Sequence, residues 1–321
     1  MMKTPVAFLI FNRPDTTAKV FEAIRQAKPP KLLVVADSPR TDKPGEVEKC
    51  KDTREIIKQV DWECEVLTNY SDVNLGCKKR VASGLDWVFE NVEEAIILED
   101  DCLPHLTFFR FCEELLEHYR YDNRVMHISG CNYGISGSFP DQSYYFSTVT
   151  GIWGWASWRR AWKFYDVNIS YWDDVVKQSS LFKDIFCCEQ EFKLRSKNWQ
   201  RVHSGEIDTW DYSWHLSCVC QGGLSIKPTK NLVTNIGFGP DATHTKVEWS
   251  PLANLSTEEM QFPLQHPKFI LKDTNADIIY FNKMLKSRPL ARIDSGLRKI
   301  QFIIENKLRF NNHESSSSKH C

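Results

Sequence analysis

Pro5-Val-Ala-Phe-Leu-Ile-Phe11 is a continuous apolar run, of the kind found in strands that are buried on both faces of a sheet. The turn residues Asn12 to Asp15 end this strand, and the apolar spacing that follows predicts a helix over residues 16–27. Pro29 and Pro30 end the helix, and residues 31–36 form a second apolar strand. The chain therefore begins with a β-α-β unit, whose two strands we expect to be parallel.

The same alternation continues as far as residue 98. Helices are predicted over residues 46–60 and 78–92, and strands over residues 64–67 and 95–98. Strands that alternate with helices predict an α/β fold with a mostly parallel central sheet, flanked by helices on both faces. Ligands bind such sheets beyond the carboxyl ends of the strands, so the residues that follow each strand are the first candidates for a site.

The composition indicates a folded, soluble protein. Of the 321 residues, 42% are hydrophobic and 26% are charged, and the net charge of −1 gives no overall field that favours nucleic acid. This length predicts about two domains, or one large α/β unit with an appendage. The eleven cysteines are scattered, which favours reduced thiols in the cytoplasm. No signal peptide and no apolar run of about 18 residues is found, so we expect a chain that is soluble or peripheral to a membrane.

Three adjacent carboxylates, Glu99-Asp100-Asp101, follow the predicted strand at residues 95–98. They repel one another, and a divalent cation such as Mn²⁺ or Mg²⁺, with phosphate oxygens completing its shell, would compensate that repulsion. The alternative is an acidic turn in which Asp100 or Asp101 caps the next element. The position at a strand exit favours the metal interpretation.

The other strand exits are polar as well. Arg13 could face a phosphate or a base, or could be a surface arginine. Asp37 could accept a hydrogen bond from a nucleobase or ribose, or could cap the turn at Ser38. Residues 74–80 bring a glycine and three cations, including Lys79, to a predicted helix N-terminus, which favours an anion such as a diphosphate. The alternative for this segment is a solvated basic helix start.

Two candidates lie later in the chain. Asp208 and Asp211 begin a predicted helix among aromatic residues, which would raise the pKa of Asp211 and suit it to general-base work. Alternatively, Asp208 is the N-cap and Asp211 its capping-box partner. His244 ends a glycine-rich loop over residues 231–244, where it could contact a phosphate or a metal, or lie on the surface.

Tryptophan is concentrated in the second half of the chain. Nine of the eleven tryptophans lie between Trp153 and Trp249. Such a segment is either a core built from large rings or a platform for sugars and bases.

In this order, the motifs resemble those of nucleotide-sugar-dependent glycosyltransferases of the GT-A fold, in particular N-acetylglucosaminyltransferase I and its bacterial relatives. The resemblance covers residues 5–245, and it is carried by these motifs: Pro5 to Arg13, Val34-Val-Ala-Asp37, Glu99-Asp-Asp101, Gly151-Ile-Trp-Gly-Trp155, Trp210-Asp211 and His244.

This resemblance implies a role for each matching residue. Asp101 would be the direct protein ligand of Mn²⁺ (or Mg²⁺), and Asp211 would be the general base of an inverting reaction. The nucleotide sugar would be bound by the remaining candidates: Asn12, Arg13, Asp37, Lys79, Glu99, Asp100, Trp155 and His244. Trp155 and its neighbours would line the pocket for the sugar and the acceptor.

The sequence departs from the family pattern near the base. Tyr212 stands where the family's W-D-D-W motif has its second aspartate, and Asp173-Asp174 after Trp172 is a rival for the same role. We prefer Asp211 because it lies nearer to Lys227-Pro228 and His244, as in the family.

The resemblance also implies a domain organisation. Residues 1–248 would form the catalytic domain, with a nucleotide-binding half at 1–102 and an acceptor-binding half at 103–248. The composition and charge pattern, rather than the resemblance, predict that residues 249–321 are an extension with a basic amphipathic helix over residues 286–309 and a flexible tail. That helix either lies on anionic lipid or docks on the fold. We therefore expect a cytoplasmic protein, with peripheral contact at the inner face of the membrane in the first case.

The expected partners are a nucleotide-sugar donor and a glycan or glycolipid acceptor, in a setting such as bacterial polysaccharide biosynthesis. The enzyme would transfer a hexosyl or N-acetylhexosaminyl group, and no nucleic acid would be bound. Two other functions remain open. A nucleotidyltransferase that makes a nucleotide sugar would use a similar sheet and Mg²⁺, although the first strand exit lacks the glycine-rich loop that such an enzyme needs. A non-catalytic carbohydrate-binding protein would use the tryptophans and would not need the carboxylates.

Overall fold

The computed structural model describes residues 2–139, 141–238 and 255–286. The chain divides into two compact units, residues 1–278 and residues 279–321. In the second unit, the described residues form the last part of a helix. The strands are β1 Val6–Ile10, β2 Lys31–Ala36, β3 Glu65–Tyr70, β4 Glu94–Glu99, β5 Cys102–Pro104, β6 Val125–Ser129, β7 Tyr144–Ser147, β8 Trp155–Trp158, β9 Leu224–Pro228 and β10 Val233–Asn235. The helices are α1 Pro14–Ala27, α2 Glu46–Ile56, α3 Gly76–Asn91, α4 Thr107–His118, α5 Arg159–Trp162, α6 Trp172–Lys177, α7 Glu189–His203, α8 Asp211–Cys220 and α9 Thr274–Lys286.

Eight strands form one sheet in the order β3-β2-β1-β4-β8-β6-β9-β7, and β5 pairs with β10 in a small second sheet. Strands β3, β2, β1 and β4 are parallel to one another, and β6 and β9 run in the same direction. Only β8 and β7 of this sheet run the opposite way. The prediction of an α/β fold with a mostly parallel central sheet is therefore confirmed.

The predicted elements of the first hundred residues form within a few residues of their expected bounds. One later expectation is wrong. The helix that was expected to open at Asp208 begins at Asp211, with Trp210 at its N-cap and no side-chain capping bond. Asp208 is therefore neither an N-cap nor part of a capping box.

The large sheet is covered on both faces, because alternate residues of its strands point to opposite sides. On one face, Phe8, Val34 and Leu98 pack with residues of α1 and α4. On the other face, Leu9, Val35 and Ile97 pack with residues of α3 and α8. This burial fixes the parallel strands, and it places their carboxyl ends at one edge of the molecule's first unit.

Most of the tryptophans are core residues. A fully buried cluster lies on the α3 face, where Trp155 stacks on Trp210 at 5.8 Å and on His127 at 5.0 Å between ring centroids. Trp172 and Trp199 belong to a third buried cluster around α6, α7 and α8. These tryptophans are therefore core residues, and they do not form an exposed platform for sugars.

The two ends of the large sheet differ. At the β7 end, Phe146 forms a bridge with Lys272, and the Asp273 N–H donates to the Phe146 carbonyl at 2.8 Å. At the other end, β3 pairs with β2 on one side only within the described residues.

No helix among the described residues has the length and the apolar composition needed to cross a membrane. The ten cysteines of the described ranges are free thiols.

Two predictions about the domain organisation fall outside the described residues. The boundary placed after residue 248 lies there, and so does almost all of the predicted basic amphipathic helix of residues 286–309. Both stay predictions. Residues 255–278 belong to the first compact unit.

Candidate active site

A cleft of about 520 Å³ lies at the carboxyl ends of β1, β2 and β4. It brings together residues that are as much as two hundred positions apart in the sequence, since its walls come from the strand exits, from the start of α3 and from the loop before α8. The predicted site residues that line it are Arg13, Asp37, Glu99, Asp100, Asp101 and Asp211. This is the edge of the sheet at which a parallel α/β fold binds its ligands.

The acidic triplet lies where β4 ends and is largely buried. Asp100 accepts a hydrogen bond from the Phe11 N–H at 3.0 Å, which ties the exit of β4 to the exit of β1. Burial raises the pKa of the Glu99 and Asp100 carboxyls, and the neighbouring Asp101 charge raises both further. Ionising these carboxyls therefore costs free energy, and a bound cation would offset that cost.

Asp101 is held between two parts of the chain. Its carbonyl accepts from the Ile236 N–H at 2.8 Å, so the segment that follows β10 lies directly on it. Among the described residues, its Oδ1 has only long contacts, 3.4 Å from Asn235 Nδ2 and 3.5 Å from Cys102 Sγ. Gly237 approaches so closely that a Cβ atom there would lie 2.1 Å from Asp101 Oδ2. The carboxylate therefore has a fixed position, and Oδ1 lacks a strong partner in the part of the chain that the structure describes.

Arg13 is the cation that faces this carboxylate. Its Nη1 lies 2.5 Å from Asp101 Oδ2 and 3.7 Å from Asp100 Oδ1. Burial lowers the pKa of the Arg13 guanidinium, but the charges of Asp100 and Asp101 outweigh burial and the pKa is raised overall. Arg13 thus lies where the sequence analysis placed it, although its observed partner is the proposed metal ligand.

Asp37 lines the cleft, but its carboxylate is already engaged. It accepts from the backbone N–H groups of Ser38, Leu75 and Gly76 at 2.9 to 3.1 Å. The last two belong to the N-terminus of α3, which was expected to attract a diphosphate. The anion at this helix start is the protein's own Asp37, because an N-terminus with free N–H groups binds whichever carboxylate the fold places there.

Residues 208–211 also line the cleft. Asp211 is the first residue of α8, and the Thr209 hydroxyl donates a short hydrogen bond to its Oδ1. No hydrogen bond to Asp211 Oδ2 occurs among the described residues. Asp208 is exposed and also lines the cleft. Asp211 is near enough to the triplet that its charge adds to the raised pKa of Glu99.

The rival base does not reach this cleft. Asp173 and Asp174 are exposed on α6, and Asp174 pairs with Lys177 at 3.4 Å. Neither residue is among those that line the cleft. Of the two candidates for the base, Asp211 is therefore the one that lines the same cleft as the acidic triplet.

Three predicted binding residues lie elsewhere. Trp155 is fully buried, because β8 pairs with β4 in the sheet interior and turns this side chain into the core. Its assignment to the sugar pocket is therefore corrected: Trp153, two residues earlier, lines the cleft. Asn12 is not a lining residue, since its amide donates to Glu46 at 2.8 Å. Lys79 is exposed on α3 outside the cleft, where the buried Arg80 is the lining residue.

His244 lies outside the described residues, so its predicted role stays a prediction. The structure adds lining residues that the sequence analysis did not select, among them Trp153, Asn235 and Arg40. Trp153 was a visible part of the Gly151 to Trp155 motif, and Asn235 was part of the glycine-rich loop. Arg40 had no sequence signal, because its place depends on an ion pair with Glu46.

The cleft carries more negative than positive groups. Its charged lining residues are Asp37, Glu99, Asp100, Asp101, Asp208 and Asp211 against Arg13, Arg40 and Arg80. Arg40 pairs with Glu46, and Arg80 donates to the Ala36 carbonyl and to Asn69. Among the described residues, Arg13 is thus the only one of the three arginines that is paired with the triplet. A further cation would be favourable here.

The donor set fits a hard divalent cation. Within residues 2–139, 141–238 and 255–286, Asp101 Oδ1 has no strong partner, and a carboxylate oxygen is the ligand type that Mg²⁺ and Mn²⁺ prefer. Within the described residues, no group of three or more His, Cys, Asp or Glu side chains is placed to hold a metal by itself. A cation at Asp101 would therefore need oxygen atoms from a bound phosphate to complete its shell.

Comparison with known proteins gives no family. No protein-family model matches the chain, and no curated protein matches it in sequence. Among solved structures, UDP-glucose pyrophosphorylase complexed with UDP-glucose matches 51% of this chain and 79% of its own, with 12% identity and a TM-score of 0.31.

Two further structures have similar scores. The 4-diphosphocytidyl-2C-methyl-D-erythritol synthase of Anaerococcus prevotii matches 70% of this chain and 87% of its own, with 9% identity and a TM-score of 0.33. Mouse xyloside xylosyltransferase 1, in its apo form, matches 40% of this chain and 55% of its own, with 10% identity and a TM-score of 0.24.

Proposed function

We propose that this protein is a metal-dependent, inverting glycosyltransferase of the GT-A type. It would move a sugar from a nucleotide-diphospho-sugar, most simply a UDP-sugar, to a hydroxyl of a glycan or another acceptor. The observation that carries the proposal is the single cleft at the strand exits, in which the acidic triplet, Arg13 and Asp211 line a common space.

The donor would bind on the triplet side of this cleft. Asp101 would hold Mn²⁺ or Mg²⁺ together with the diphosphate oxygens, and the bound cation would neutralise the negative charge that develops on the leaving diphosphate. Arg13 is within reach of the same group and would contact a phosphate oxygen. Trp153 lines the adjacent wall and would pack on the transferred sugar.

Asp211, which lines the same cleft, would act as the base. The acceptor hydroxyl oxygen attacks the anomeric carbon, the bond from that carbon to the diphosphate oxygen breaks, and Asp211 takes the hydroxyl proton. The nucleoside diphosphate leaves with the bonding electron pair. Attack from the side opposite to the leaving group inverts the anomeric configuration. The Thr209 hydroxyl would hold one Asp211 oxygen and leave Oδ2 to accept the proton.

The donor site is tested by the melting temperature in the presence of UDP, GDP, CDP and TDP, each with and without Mn²⁺. Ligand at about a hundred times its dissociation constant should add about 2.7 kcal/mol to the free energy of unfolding. We expect stabilisation by UDP that requires Mn²⁺ and that Asp101→Asn abolishes. If no nucleotide stabilises the wild-type protein under any of these conditions, the proposal is wrong.

The base is tested by transferase assays with a donor that has passed the first test. Asp211→Asn should lower kcat by about a hundredfold or more, while the melting-temperature shift with UDP and Mn²⁺ stays unchanged. Asp173→Asn is the matched control, because this exposed carboxylate lies outside the cleft. A product that retains the donor's configuration, or an unaffected Asp211→Asn enzyme, would contradict the proposed role of Asp211.

A further inference from the structure

Arg13 forms an ion pair with Asp101, the carboxylate that would hold the metal. Its Nη1 is 2.5 Å from Asp101 Oδ2, and in this pair 25% of the Arg13 side chain and 11% of the Asp101 side chain are exposed. A guanidinium in this position neutralises Asp101 and repels an incoming divalent cation. The ion pair and a metal at Asp101 therefore oppose each other.

The surroundings of Arg13 allow its side chain to leave. Its backbone is fixed at the start of α1, because its carbonyl accepts from both the N–H and the hydroxyl of Thr17 at 3.0 and 2.7 Å. The guanidinium is held only by carboxylates of the triplet, Asp101 and the more distant Asp100, among the described residues. Rotation about the side-chain bonds alone can therefore move the positive charge within the cleft, with no change in the backbone.

Asp101 cannot move in the same way. The Ile236 N–H holds its carbonyl, and Gly237 packs against its carboxylate. When a cation and a diphosphate enter, the mobile partner of the ion pair is thus Arg13. A diphosphate in the cleft offers this guanidinium a second anion in place of Asp101.

We propose that Arg13 is a built-in competitor for the metal, which binds Asp101 in the free protein and moves to the diphosphate when the nucleotide enters. This inference rests on the proposed function, since it names how that donor site is regulated. Cation binding is weak until the diphosphate draws Arg13 away from Asp101. Nucleotide and cation then raise each other's affinity by the same factor, as linkage requires.

The test is the binding of Mn²⁺ alone, followed by electron paramagnetic resonance of the free ion. The variants are Arg13→Gln, which removes the competing charge, and Arg25→Gln as the matched control. Arg25 lies near the other end of α1 and pairs with Asp61 on the surface. We expect Arg13→Gln to bind Mn²⁺ about tenfold more tightly than the wild type, and Arg25→Gln to bind as the wild type does.

The second arm repeats the titration in the presence of UDP. In the wild type, UDP should raise the Mn²⁺ affinity by a larger factor than in Arg13→Gln, because only the wild type has an ion pair to release. Arg13→Lys keeps the positive charge but lacks the planar guanidinium. The factor by which UDP raises its Mn²⁺ affinity should therefore lie between the factors for the wild type and for Arg13→Gln. This variant also serves as the test if Arg13→Gln does not fold, which circular dichroism would show.

The competition inference is overturned if Arg13→Gln, or Arg13→Lys in its place, binds Mn²⁺ alone no more tightly than the wild type. The failure of the proposed function looks different, because UDP and Mn²⁺ would then not stabilise the wild-type protein at all. The titration with Mn²⁺ alone needs no nucleotide, so the two failures are distinguishable.

Discussion

The exits of β2 and β4 lie at the same edge of the sheet, and each carries an aspartate that lines the cleft, yet the two carboxylates have different partners. Asp37, after β2, accepts from backbone N–H groups that the fold keeps in place. Asp101, after β4, pairs with a long side chain, and its other oxygen has no strong partner among the residues that the structure describes. A carboxylate held by backbone is part of the scaffold, whereas one held by a side chain can exchange its partner for a ligand.

This difference suggests separate consequences for the two positions. Changes at the β2 exit should act on stability, because the start of α3 depends on Asp37. Changes at the β4 exit should act on the binding of cation and nucleotide. The following four predictions test this division.

The largest effect is expected for Asp101→Asn. Without the carboxylate charge, the site should lose cation-dependent nucleotide binding, and transfer should slow by about a thousandfold. The free energy of unfolding should change by less than about 1 kcal/mol, because the lost pair with Arg13 is offset by weaker repulsion from Asp100. Chemical denaturation and the melting-temperature shift with UDP and Mn²⁺ measure the two effects. If Asp101→Asn were strongly destabilised, the proposed difference between Asp101 and Asp37 would be wrong.

Asp37→Asn should show the reverse pattern. Its amide offers one acceptor oxygen in place of two, so buried N–H groups at the start of α3 lose partners, and the free energy of unfolding should fall by about 2 kcal/mol. The folded variant should still bind UDP with Mn²⁺. Isothermal titration below the melting transition measures this binding. Loss of binding without loss of stability would mean that Asp37 contacts the nucleotide directly.

The third prediction concerns pH at the β4 exit. Because the pKa values of Glu99 and Asp100 are raised in the fold, the folded protein holds more protons than the unfolded chain above the ordinary carboxyl range. Stability should therefore fall as pH rises from the ordinary carboxyl pKa through the raised values, by up to about 1.4 kcal/mol per pH unit for each proton released.

Denaturation at intervals between about pH 5 and about pH 8 measures this loss. Glu99→Gln cannot titrate at that position, so its stability should depend less on pH than that of the wild type. A wild-type protein whose stability rises with pH across this range would contradict the prediction, and so would an unchanged slope in the variant.

The smallest effect is expected for Gly237→Ala. The new Cβ would lie 2.1 Å from Asp101 Oδ2, so the carboxylate or the loop must shift. We expect UDP with Mn²⁺ to bind about fivefold more weakly, which corresponds to about 1 kcal/mol. Titration calorimetry measures the affinity. Unchanged affinity would show that the exact placement of the Asp101 carboxylate by this loop does not matter for the cation.

The sequence predicted the sheet and the edge at which the cleft lies, because both follow from local patterns. Apolar runs marked the buried strands, and polar residues at their ends marked the edge at which Arg13, Asp101 and Asp211 meet. The groups with which these side chains form hydrogen bonds and ion pairs could not be predicted from the sequence. Asp37 meets residues 38 and 39 positions away, and whether α3 binds this carboxylate or a ligand depends on the packing of α3 against the sheet.

The error at Trp155 has a related cause. The motif from Gly151 to Trp155 identified the right segment, but which of its two tryptophans turns inwards depends on the pairing of β8 with β4. That pairing places Trp155 opposite Ile97 in the sheet, and Trp153 precedes the strand and reaches the cleft. The register of β8 against β4 cannot be read from the pattern of a single sequence.

The unequal ends of the large sheet bear on how shortened forms of the chain would behave. Residues 272 and 273 bond to β7 through Phe146 and thus cover backbone groups that would otherwise be open to another strand. A truncation before residue 255 would uncover this end, so that both β7 and β3 would lack a second partner within the described residues. Unpaired edges are templates for intermolecular strand pairing, so aggregation of such a fragment would reflect the lost edge cover rather than a defect in the cleft.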